Sequence, residues 1–95
     1  MQPFRDRYPY ELRYFYVPRG AWSGHRNYES LAQAADDYVK FMASRDVAAV
    51  QIRHLGDLLW HDDKVGGEIG LHLAAAEYHS RQFEAEVNAA LKVQP

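Results

Sequence analysis

From Tyr10 to Val17 the chain reads Tyr-Glu-Leu-Arg-Tyr-Phe-Tyr-Val, a run of residues that suit a pleated, half-buried surface. The pattern predicts a strand ended by Pro18, with Leu12, Tyr14 and Tyr16 on one face and Arg13, Phe15 and Val17 on the other. Both faces are largely apolar, so the pattern alone does not say which meets the core. Pro18 to Asn27, punctuated by Gly20 and Gly24, reads as a loop with Trp22 in its middle. Ser30 and Gln33 match a capping box. Behind them Leu31, Ala34, Ala35, Tyr38, Phe41 and Met42 recur at helical spacing, and the helix should end near Ser44–Asp46.

Val47 to Arg53 is apolar on both faces, as in a strand covered on both sides. Gly56-Asp57 then predicts a turn into a short third strand, Leu58-Leu59-Trp60, with a loop from Asp62 to Gly67. Ile69, Leu73, Ala76, Ser80, Phe83, Val87 and Leu91 form one stripe of a last helix, opposite Glu77, Arg81, Gln82, Glu84, Glu86 and Asn88. The order is β-α-β-β-α. It implies an α+β fold in which two helices lie on one face of a small, mostly antiparallel, three-stranded sheet. The expected organisation is a single domain over residues 1–95, with residues 1–9 as an irregular N-terminal arm because Pro3 and Pro9 interrupt it.

Composition narrows the function classes. Zero cysteines exclude a disulfide framework, thiol catalysis and thiolate metal sites, and favour a reducing, cytoplasmic setting. Nothing at the N-terminus reads as a signal peptide, and no apolar run approaches the ~20 residues that span a bilayer, so no membrane partner is expected. The net charge of −2 is unevenly spread. Residues 1–28 carry five arginines against Asp6 and Glu11, net +3, and eight of the thirteen aromatics; residues 29–95 carry net −5. That asymmetry points to a macromolecular partner.

Four constellations bear on chemistry. His72 and His79 with Glu68 could line one helical stripe, the basis for a metal-dependent enzyme as an alternative function. Seven residues, however, set the histidine Cα atoms ~10.5 Å apart, long for one shared ion. His61-Asp62-Asp63 could bind a cation or act as a base, but neighbours on a strand point to opposite faces. Ser23-Gly24-His25 sets a hydroxyl near an imidazole without a nucleophile-elbow context. Gly66-Gly67-Glu68-Ile69-Gly70 lacks the lysine of a phosphate loop and has an acid at its centre. The expectation is a chain that is not an enzyme, with no cofactor and no metal.

The N-terminal third remains. Arginine interleaved with aromatics, as in Arg7-Tyr8, Arg13-Tyr14 and Arg26-Asn27-Tyr28, suits single-stranded nucleic acid and suits a protein hot spot equally. The acidic remainder disfavours a general polyanion binder, which makes a protein or ribonucleoprotein the expected partner and nucleic acid the alternative. The expected contact residues are Arg13, Arg19, Trp22, His25, Arg26 and Tyr28. In size and in its lack of cysteine the chain resembles the single-domain inhibitors that phages and mobile elements make against host machinery, anti-CRISPR proteins among them. That resemblance implies a prokaryotic or phage inhibitor or adaptor, as monomer or homodimer, and assigns no residue a role.

Overall fold

The computed structural model describes residues 6–93, so the first five residues of the expected arm lie outside it; Asp6 and Arg7 are helical. Strand β1 (Tyr10–Tyr16) runs into a tight turn in which the Gly20 amide donates to the Tyr16 carbonyl at 2.9 Å. Gly20 takes φ +68°, a left-handed conformation that glycine reaches without a Cβ penalty. The chain then returns as β2 (Ala21–Tyr28). The expected loop is therefore mostly a strand. Its polar, glycine-bearing sequence has little strand propensity, and pairing along the whole of β1 supplies what propensity lacks.

Helix α1 (Leu31–Met42) starts on the expected capping box, with the Gln33 amide donating to Ser30 Oγ and the Ser30 amide to Gln33 Oε1, both at 3.3 Å. It ends two residues before the expected Ser44. Strand β3 (Val47–His54) turns through Leu55 and Gly56, both at positive φ (51° and 93°), into β4 (Asp57–Asp63). The turn thus sits one residue earlier than Gly56-Asp57, and β4 is longer than Leu58–Trp60. Helix α2 spans Glu68–Val93, 26 residues.

Among the described residues the sheet has four strands in the order β2-β1-β3-β4, antiparallel throughout, which corrects the expected three. The helices do not share a face. Leu12, Val50 and Ile52 pack with Tyr28, Ala34, Tyr38 and Phe41 beneath α1. Phe15, Ala48 and Ala49 pack with Leu71 and Ala75 of α2 on the other side. The physical reason is the double-sided apolar pattern of β3: covering one face would leave the other wet.

Only the start of α2 is packed. Leu71 and Ala75 are buried, and every residue from His79 to Lys92 is exposed. The helix extends past the sheet, giving the molecule dimensions of 64 × 25 × 23 Å and a radius of gyration of 17.4 Å, against about 12 Å for a compact chain of this length. No helix is long and apolar enough to cross a membrane among the described residues.

Candidate interaction surface

The six expected contact residues do not form one patch. Arg13 is exposed on the α2 side of the sheet, its Nε donating to Glu11 at 2.8 Å. Arg19 sits in the β1–β2 turn, 3.4 Å from the Ser23 hydroxyl. Trp22 pairs with Phe15 across the strands and meets it edge-on at 5.8 Å, half-buried against the second core cluster. That placement accounts for a tryptophan that a loop would not explain.

On the opposite face, His25 is the extra residue of a bulge, since Arg26 pairs with Leu12 while Gly24 pairs with Arg13. Its ring lies 4.7 Å from Phe41, and its Nε2 lies 3.7 Å from Asp37. The Arg26 guanidinium stacks 4.8 Å over the Tyr28 ring. Tyr28 itself is only 2% exposed, so it is a core residue and not a surface anchor. Its hydroxyl donates to Asp37 at 2.6 Å. Burial and that bond hold the phenol protonated well above the usual tyrosine range, and the same bond holds the Asp37 carboxyl low.

The candidate chemical clusters fall apart in the same way. Alternation along β4 sends Asp62 to the Tyr38 hydroxyl on the α1 face and His61 to Asp63, at 2.9 Å, on the other. The Tyr38 phenol is held above its ordinary range chiefly by that bond to Asp62. His72 lies 3.5 Å from Glu68 one turn earlier, while His79 stacks edge-on against Tyr78. Among the described residues no three histidine, aspartate or glutamate side chains come together around one point. The Gly66-Gly67 turn is organised from within, because Asp63 Oδ1 accepts the amides of Val65, Gly66 and Gly67 at 3.1, 2.6 and 3.2 Å.

What the sequence reading did not single out is the far edge of the sheet. Among the described residues strand β4 has no neighbour on its outer side, and Leu58, Leu59 and Trp60 are each about half exposed there (53, 49 and 53%), with Leu55 beside them. Both edge strands are bulged, β2 at His25 and β4 at Leu59; β2 differs in carrying the polar run Gly24-His25-Arg26 where β4 carries Leu58-Leu59-Trp60. Three consecutive large apolar residues without alternation were the available signal; edge position was not readable without the pairing order.

Compared with known proteins, the chain matches no family model, no curated protein and no solved structure.

Proposed function

We propose that this chain is a non-catalytic protein-interaction module, an inhibitor or adaptor, that takes an extended segment of a partner protein alongside β4. The observation that carries this reading is the open, apolar edge Leu58-Leu59-Trp60. An uncovered edge offers a row of backbone donors and acceptors, and half-exposed leucine and tryptophan side chains offer the adjoining area. Asp57, Asp62 and Asp63 flank the apolar centre. The partner segment is therefore an apolar strand with basic residues at its ends.

The basic residues first expected to make the contact support this less well. Arg13, Arg19 and Arg26 diverge over two faces and a turn, so they do not form one flat contact surface. Selection of a random peptide library against the full chain tests the reading. Enriched peptides should alternate apolar residues between lysines or arginines and lose affinity when alternate backbone amides are methylated. Leu59→Lys should weaken them about a hundredfold, some 3 kcal/mol, while Arg26→Ala leaves them unchanged. Binders that ignore Leu59→Lys and respond to Arg19→Ala or Arg26→Ala would return the contact to the N-terminal third. Tight, salt-sensitive binding of an oligonucleotide would replace the protein partner altogether.

A further inference from the structure

The apolar stripe of α2 faces away from the sheet. Leu71 and Ala75 define the buried side, and at ~100° per residue Ile69, Leu73, Ala76, Ser80, Phe83 and Val87 lie on the side opposite to it. Exposure agrees: Ile69 is 79% exposed, Leu73 65% and Phe83 67%. The sequence pattern had implied that this stripe covers the core. Instead the core takes two residues from the other side, and the stripe is left bare for the length of the helix.

Its spacing of 4, 3, 4, 3 and 4 is a heptad seam, the signature of a helix that packs against a second helix. From this and the pattern of sizes along it, we infer that α2 is a dimerisation element that pairs antiparallel with α2 of a second copy of this chain. The occupant is specified by self-complementarity about a two-fold axis between Arg81 and Gln82. In that register Leu73 meets Ala90 of the second copy, Val87 meets Ala76, and Phe83 meets Ser80. Each of these three central layers joins a large side chain to a small one, which fills space at interior density. A parallel, in-register pair would instead set Phe83 on Phe83 and Ala76 on Ala76, alternating crowding with voids.

The flanks are mixed, one favourable pairing against one like-charged pairing. His79 comes beside Glu86 of the second copy, and Glu77 beside its Glu84, with Arg81 already bonded to Glu77 within each chain. The sheet lies behind the helix, so the seam side is free to receive a partner. Leu73, Phe83 and Val87 of each copy, 65, 67 and 40% exposed, lie in these layers, a small contact of the size that suits a weak, reversible dimer. A helical stretch whose residues from His79 to Lys92 are all exposed is marginal in water on its own, and pairing removes that weakness.

This inference is independent of the β4 reading, and one set of measurements separates them. Sedimentation of the full chain should show a species of twice the 11.0 kDa chain mass, with a dissociation constant in the micromolar range. Phe83→Glu should raise that constant about a hundredfold and leave the circular dichroism of the sheet intact, since Phe83 is 67% exposed and belongs to neither of the sheet's two core clusters. Val87→Lys should do the same, in case Phe83→Glu perturbs folding. Leu59→Lys should leave the dimer unchanged. The chain lacks cysteine, so spin labels can be placed singly. Labels at Glu84→Cys, beside the seam and near the two-fold, should lie close together, and labels at Lys92→Cys should be offset by about 30 Å along the helix axis. A single-chain mass at about 100 µM, a dimer that survives both seam variants, or equally short distances at the two labelled sites would each overturn the inference.

Discussion

Asp63 ties His61 to the turn that leads into α2: one carboxylate oxygen lies 2.9 Å from His61 Nε2, and the other accepts three successive backbone amides from Val65 to Gly67. These bonds, the His61 contact first and the Gly66 amide next, hold the Asp63 carboxyl below the usual carboxylate range. A depressed folded-state value means that the contribution to stability is present above the unfolded value of about 4 and fades as pH falls through the folded one. Amide exchange at Val65–Leu71 should therefore accelerate below pH 4, and Asp63→Ala should produce about tenfold faster exchange there at neutral pH. Exchange in β1 should not change.

The Tyr28–Asp37 pair has two limits in pH. Asp37 is depressed, so its contribution fades on acidification; Tyr28 is raised, so its contribution is complete below pH about 10 and fades as pH rises beyond it. Thermal stability should show a plateau between these limits. Tyr28→Phe should cost about 1 kcal/mol on the plateau and should remove this tyrosine's part of the alkaline decline. The check is a set of melts across pH for both proteins. The same variant should leave partner binding untouched, because the ring is core.

Trp22→Ala tests whether that side chain serves packing or contact. Its edge-on seat against Phe15 predicts a loss of about 2 kcal/mol in denaturant unfolding, less than full burial would give. A variant of unchanged stability would show the indole to be surface only.

Gly70 gives a substitution whose sign is opposite to helix propensity. A Cβ there would lie 2.1 Å from the Val65 carbonyl oxygen, against open space at Gly24. Alanine ordinarily favours a helix by about 1 kcal/mol over glycine. Here Gly70→Ala should instead destabilise by about 1–3 kcal/mol, because the helix must move off the Val65 backbone. Gly24→Ala, measured by the same unfolding experiment, should be close to neutral.

How far these features could be read from sequence follows from how local each one is. Strand β1, the Ser30–Gln33 cap of α1 and the double-sided strand β3 rest on neighbours in the chain, and they stand within about two residues of expectation. Strand β2 does not: with Ser23, Gly24, His25 and Asn27 in it, only pairing with β1 makes it a strand. The apolar residues on both faces of Val47–Ile52 already implied a helix on each side, although the fold was expected to place both on one. The stripe of α2 was correctly located along the helix and wrongly aimed, since Leu71 and Ala75 on the reverse side are themselves apolar. Of the expected contact residues, Tyr28 was lost to the core because burial depends on α1, thirty-one positions into the chain and beyond. Strand β4's exposure needed the strand order.

The division of α2 at about Tyr78 has a consequence for how a single copy comes apart. Geometrically it is one rod; energetically it is two cooperative units. The first two turns, which carry Leu71 and Ala75, should open with the sheet, while the exposed remainder should melt by itself, held by its backbone bonds and local side-chain pairs. In a lone copy, cutting at Arg81 or Lys92 by a trypsin-like protease would therefore leave a trimmed, still folded sheet, so resistance to that cut reports whether the far half of the rod has company.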